Sequence, residues 1–200
     1  MSAVQILPTP ILSQPKLVTP SDFLNLPDEG KGYELVDGIL KELNVSAKSS
    51  RTALRIGAYL DRFCQTTGLG WVFTTDAIFK CFRDDMDKIR RPDAAVMLLT
   101  RYSEAIYERE RMISVNPDLV VEVLSPNDLA QEVNRKTREW LIAGAKMVWV
   151  IDPDEKIVVC HTPVDVVIRR EGDALTGDPV LPGFSVPVVE LFLSPNPAKA

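Results

Sequence analysis

The chain has few of the residues from which soft-metal sites and disulfide frameworks are built. It contains one histidine, His161, and three cysteines, Cys64, Cys81 and Cys160, which are odd in number, widely spaced and free of any C-x-x-C pair. A zinc cluster or a disulfide scaffold needs more than that, so the thiols read as buried and free. No stretch approaches the roughly 18 uncharged apolar residues of a membrane span. The first residues, MSAVQILPTPILSQP, are interrupted by prolines and lack the basic start and small-residue cleavage site of an export signal, so a cytoplasmic protein is expected. Internal repeats and blocks of like charge are missing, and no helix-turn-helix or zinc-finger spacing offers sequence-specific readout of DNA. Positive charge is in deficit too: 23 Lys+Arg stand against 28 Asp+Glu, a formal net charge of −5. That argues against a protein whose main task is to coat nucleic acid, because such affinity comes largely from neutralising phosphates. An enzyme with a carboxylate-rich cleft that touches nucleic acid transiently remains open.

What is present suffices for one core. With 200 residues, 46% of them hydrophobic and 26% charged, the chain fits a single domain. Pro8, Pro10, Pro15 and Pro20 mark residues 1–20 as an extended arm, and SPNPAKA makes 193–200 a short tail, leaving 21–192 as the domain. Residues 33–43 read as two short strands around Asp37-Gly38, a dipeptide suited to a tight hairpin. A helix is expected from Ser49 or Ser50 to Thr67, since Ala53, Ile56, Leu60, Phe63 and Cys64 share a face and Gly68 can stop it. Strands follow at 71–75, 78–82 and 93–99, with 83–88 as an exposed turn and a short helix within 103–111. The apolar run 119–124 has the character of a strand buried on both faces. It leads into a helix from Asn127 or Asp128 to about Gly144, a strand at 147–151, a turn at 152–155 and antiparallel strands at 157–161 and 164–169. The sum is an α/β or α+β domain, a mixed β-sheet with helices packed on it.

One residue does not belong to this apolar pattern. Glu122 lies inside Leu119-Val120-Val121-Glu122-Val123-Leu124; alternation puts Val120, Glu122 and Leu124 on one face and Leu119, Val121 and Val123 on the other. A buried carboxylate must be paired or must bind a cation. A second acid, Asp93, opens another apolar strand directly after Pro92. Two such carboxylates on adjacent strands can hold magnesium through hard oxygen ligands, with water completing the shell, and that arrangement suits phosphodiester hydrolysis. The cation such chemistry also needs is Lys136, which stands three residues after Val133 and four before Trp140 on the apolar stripe begun by Leu129. Glu34 is a possible third acid. Each has a plainer reading: Glu122 as a locally paired acid at a strand end, Asp93 as a strand initiator, Lys136 as the i,i+4 partner of Glu132, and Glu34 as an acid beside a turn. His161, Trp71, Trp140 and Trp149 read as structural. Lys88, Arg90 and Arg91 either touch a phosphate backbone or decorate a solvated hairpin tip.

Glu34-Leu35-Val36-Asp37-Gly38, then Arg91-Pro92-Asp93, then the run from Pro117-Asp118 through Glu122 to Ser125-Pro126, then Glu132, Lys136, Gly144 and Trp149-Val150-Ile151-Asp152-Pro153, follow one another in a particular order. In that order the chain resembles the Uma-two endonuclease family of the restriction-endonuclease-like PD-(D/E)XK superfamily, from about Ser21 to about Phe192. The resemblance implies a restriction-endonuclease-like mixed central sheet flanked by helices. It also implies metal ligation by Asp93, Glu122 and the backbone carbonyl of Val123, with Mg2+ as cofactor and Mn2+ as a substitute. The superfamily lysine two residues after the second acid is replaced here by Leu124, and its counterpart would be Lys136 on the following helix. Glu34 would be the additional acid of the first part of the fold. Many family members carry a histidine near the start of the first long helix, where this chain has Arg51. The implied function is a metal-dependent endonuclease acting on DNA, as a homodimer because two symmetric sites cut two strands most simply. The rival is a noncatalytic nucleic-acid- or protein-binding module that retains the fold.

Overall fold

The computed structural model describes residues 17–194. Most of the expected arm, residues 1–16, and the tail from 195 lie outside the described residues, whereas Thr19 and Pro20 already belong to the first helix. In α1 (Pro20–Leu24) the Thr19 hydroxyl accepts the Asp22 amide and the Asp22 carboxylate accepts the Thr19 amide, a reciprocal cap. β1 (Tyr33–Val36) and β2 (Ile39–Glu42) form the expected hairpin, with Asp37 and Gly38 at φ 52° and 71°, the positive angles such a turn requires. α2 (Ala47–Thr67) begins earlier than expected. Ser46 is its cap and Ser49 the reciprocal partner, while Gly68 ends it in the left-handed region as anticipated.

β3 (Gly70–Thr74) and β4 (Ala94–Leu98) pair antiparallel. The strand expected over 78–82 does not form: Phe79 makes single bridges to Arg90 and Ile113. Ile78, Phe79, Cys81 and Phe82 are buried all the same, so the apolar run reflects burial of a loop rather than a ladder. α3 (Glu104–Tyr107) is one turn long. β5 (Leu119–Val123) is buried throughout and is followed by α4 (Ala130–Ala143). Leu129, not Asn127 or Asp128, is the N-cap of α4, because the Asp128 carboxylate is occupied by the Ser125 amide and the Asn44 side chain and closes the loop instead of capping the helix. Leu129 is exposed, so the inward stripe starts at Val133.

β6 (Met147–Asp152), β7 (Ile157–His161) and β8 (Val166–Arg169) complete a six-stranded sheet in the order β3-β4-β5-β6-β7-β8. Only β5 and β6 run parallel, and α4 is the crossover between them, as a parallel pair demands. β9 (Ala174–Thr176) and β10 (Ser185–Pro187), a separate antiparallel pair, are too short for periodicity to reveal. The faces of β5 divide as alternation predicts. Leu119, Val121 and Val123 join Ile56, Leu60 and Cys64 of α2 in one core cluster; Val120 joins Trp140, Val148 and Val150 under α4 in the other. At the far end of these strands the fully buried Asp118 accepts the Leu98 amide and pairs with Arg101 and Lys146, each contact 2.9 Å, tying β4, β5 and β6 together. Among the described residues no helix is long and apolar enough to cross a membrane.

Candidate active site

The sheet brings the two predicted acids side by side. The last paired residues of β4 and β5 are Ala94 and Val121, so the next position sets Asp93 beside Glu122. Asp93 Oδ2 accepts the Val123 amide at 2.7 Å and Oδ1 accepts the Thr75 hydroxyl at 3.4 Å. Glu122, on the Val120 face, points to α4. There Lys136, Glu139 and Trp140 form one cluster, because residues three and four apart on a helix are neighbours. Trp140 Nε1 donates to Glu122 Oε1 at 2.7 Å, and Lys136 Nζ lies 2.8 Å from Glu122 Oε2.

Glu34 completes the group from another element. Two backbone hydrogen bonds between Leu35 and Ile89 lay β1 against the segment before Asp93, and Glu34 Oε1 meets both the Arg91 amide (2.8 Å) and Lys136 Nζ (2.9 Å). Lys136 thus bridges Glu34 and Glu122, the two ion pairs it makes among the described residues; its helix neighbour Glu132 is not its partner. Glu34 Oε2 accepts Arg90 Nη1 at 2.7 Å, and Arg90 is held in turn by Glu139, which also pairs with Lys88 at 3.2 Å. Arg91 donates to the carbonyls of Tyr33, Glu29 and Asp76. Lys88, Arg90 and Arg91 are therefore buried, neither a solvated hairpin tip nor a phosphate-contacting patch.

Glu139 and the Trp140 N–H escape sequence reasoning. Their signal was the i+3 and i+4 spacing from Lys136, which packing alone would also explain. Trp71 stacks on Tyr107 and Trp149 packs against Phe184, as structural residues do. His161 sits on β7 opposite Val148 and Val166, and burial lowers its pKa. Arg51 donates to the Leu193 carbonyl, away from this cluster.

Charge is tightly balanced here. Burial raises the Glu122 pKa to about 7 and nearby Asp93 adds to the rise, with Lys136 only partly opposing it. Burial likewise raises Asp93, against the Val123 amide and Lys136. For Glu34 burial acts upward, but Lys136 and Arg90 outweigh it and hold the carboxyl below its ordinary value. Burial disfavours the Lys136 ammonium, yet Glu122 and Glu34 raise its pKa nonetheless. Glu34 and Glu122 share the Lys136 ammonium, and Arg90 is a second cation on Glu34. Glu34, Glu122, Arg90 and Lys136 line a cavity of about 190 Å³ between the β1–β2 hairpin, the β5–α4 loop and α4, with Lys41, Asn44 and Arg135 also on its wall. Asp93 instead opens toward an adjoining hollow beside α2 and β3.

Among the described residues no group of three or more His, Cys, Asp or Glu side chains is arranged to hold a metal ion. Magnesium does not require such a group: it keeps several waters and takes one or two carboxylates. Asp93 and Glu122 fit that need as hard oxygen donors whose four oxygens each make one bond and retain lone pairs.

Comparison with known proteins bears on which family builds this site. The sequence model of the Uma2 family, described as "Putative restriction endonuclease", matches residues 20–189. The chain belongs to the Uma2 family. With Uma2 membership comes a nuclease-like function. No curated protein matches the chain, whereas five chains among the solved structures do. One is the crystal structure of "a putative nuclease belonging to DUF820" from Anabaena variabilis ATCC 29413, 23% identical, covering 88% of this chain and 97% of that one with a TM-score of 0.72. It shares the α/β architecture of this Uma2 chain, a mixed central sheet flanked by helices.

Proposed function

We propose that the chain is a metal-dependent endonuclease hydrolysing phosphodiester bonds in DNA. The observation that carries this reading is the Lys136 ammonium in a cavity wall, 2.8 Å from Glu122 and 2.9 Å from Glu34, with Asp93 next to Glu122 across the β4–β5 register. Asp93 and Glu122, with the Val123 carbonyl, would hold Mg2+, or Mn2+ in its place; when bound, the ion polarises a phosphoryl oxygen and lowers the pKa of a coordinated water. Lys136 orients the attacking water and stabilises charge that develops on the phosphoryl group. Glu34, fixed by Arg90 and the Arg91 amide, holds the lysine charged and in place. Two copies, each cutting one strand, complete the reading.

A noncatalytic binding module on the same fold draws support from one feature: Lys136 already spans Glu34 and Glu122 as a structural ion pair. One experiment separates the two. Purified full chain is incubated with supercoiled plasmid and single-stranded oligonucleotides in Mg2+, Mn2+ or EDTA, beside Asp93→Ala and Lys136→Ala, with folding followed by circular dichroism. Metal-dependent cleavage that falls by at least about 10²-fold in both variants is expected for groups acting on transition-state charge. Absence of cleavage with either metal in the well-folded protein overturns the DNA-endonuclease reading and favours the binding module or a substrate other than DNA.

A further inference from the structure

Among the described residues β8 is an edge strand of the six-stranded sheet, as β3 is at the other end, and it is apolar for an edge: Val166 and Ile168 are 55% and 48% exposed, and Val164 just before the strand is 93% exposed. An open edge displays backbone donors and acceptors that recruit another strand. The Thr162 amide donates to the Asp165 carbonyl at 2.9 Å, and with the β7–β8 register this turns the backbone groups of residues 165, 167 and 169 toward β7 and those of 166 and 168 outward. The outward Val166 amide is held by the Asp165 carboxylate at 2.8 Å. A side chain of the edge itself occupies a donor that a neighbouring strand's carbonyl would take. Beyond Ile168 the Arg170 amide is held by Asp173 at 2.8 Å, which bounds the pairing segment.

We infer that this edge pairs antiparallel with the same edge of a second copy of the chain, across a two-fold axis at Val167. Outward-facing residues pair only with outward-facing ones, so alternative registers differ in steps that keep this parity. Centred on Val167, Val166 lies opposite Ile168 of the partner subunit, and Asp165 lies opposite Arg169 of the partner subunit, each contact occurring twice by symmetry. Centred on Ile168, Asp165 would oppose Glu171 of the partner subunit, and like charges directly opposite are unfavourable. Centred on Val166, Asp165 and Arg169 would face Val167 and Pro163 of the partner subunit and find no opposite charge. The Val167 register alone is complementary in both apolar and charged pairs. In it the Val166 amide passes to the carbonyl of the partner's Ile168, which releases the Asp165 carboxylate to the partner's Arg169. The contact is isologous, and it joins two six-stranded sheets into one continuous sheet without touching the Lys136 cavity. It does not depend on catalysis.

Sedimentation velocity over a range of protein concentrations tests this on the full chain. The wild type is expected to dimerise. Asp165→Arg and Arg169→Asp are each expected to weaken the dimer at least tenfold, since each sets like charges opposite one another twice. An equimolar mixture of these two variants is expected to restore dimers, because every contact again opposes Arg to Asp. Ile168→Lys, at an exposed position, supplies a second disruption with folding checked by circular dichroism. A wild type that is monomeric at every concentration overturns the inference. So does a dimer that survives both Asp165→Arg and Ile168→Lys, or a mixture that stays monomeric.

Discussion

Glu122 stands between Val121 and Val123 on a fully buried strand, where an ionised carboxylate loses its hydration. Two donors on α4 answer that loss, the Lys136 ammonium and the Trp140 N–H. Trp140 fixes which Glu122 oxygen faces the lysine, so it orients the carboxylate that would meet a metal. Trp140→Phe removes that donor while keeping a ring to pack on Phe79 and Phe82. Loss of a group that orients a ligand typically costs 10- to 100-fold in metal affinity, and a drop of about tenfold or more in Mn2+ affinity is expected by titration calorimetry. Unchanged affinity would remove Trp140 from the site. At this scale the sequence was informative where a residue broke its local pattern. Glu122 interrupts an apolar run and Lys136 an apolar stripe, whereas Trp140 conforms to its stripe and Glu139 looks like any helix-surface acid.

Elements deliver these groups. From one face α4 presents Lys136 to Glu34 and Glu122, Trp140 to Glu122, and Glu139 to Arg90 and Lys88, and β5 presents Glu122 beside Asp93 because the register ends one residue earlier. α2 supports the cavity rim: its first-turn Ser49 hydroxyl lies 2.9 Å from that of Ser125, and Ser125 donates to the Asn44 carbonyl. The Ser46 cap fixes where that turn begins. Ser46→Ala is expected to lower stability by about 1 kcal/mol, the usual cost of losing a side-chain cap, measured by urea denaturation; no change would mean that tertiary contacts alone set the start of α2. The hairpin, α2, α4 and most sheet strands were legible because turn chemistry and periodicity are local signals. Residues 78–82 misled, since a buried loop and a buried strand have the same composition and differ only in their backbone partners.

The whole molecule couples its site to pH. The Glu122 carboxyl is raised from 4.5 to about 7 by burial and by Asp93, so between those values the folded chain holds a proton that the unfolded chain releases. Its stabilising contribution is full below pH 4.5 and is lost as pH rises through about 7. Asp93 is shifted in the same direction. In EDTA the melting temperature is expected to fall across that window, and Glu122→Gln to flatten the decline; an equal slope in the variant would assign the effect elsewhere. Added Mg2+ is expected to offset the loss at high pH, since a cation binds the ionised carboxylates and competes with their protons.

By itself the sequence determined the β1–β2 hairpin, α2, α4 and the order of the central strands, the two faces of β5, and the inward placing of a buried acid and a lysine, because helix and strand periods and the cost of a buried charge act over a few neighbouring residues. Tertiary structure alone decided that Glu34 and Glu122 share Lys136 across residues far apart in the chain. It also turned Lys88, Arg90 and Arg91 from apparent surface cations into buried counter-ions, and brought Glu139 into their network. Those outcomes depend on which strands adjoin and which loop lies beneath them. Non-local pairing settles that, and no local pattern encodes it.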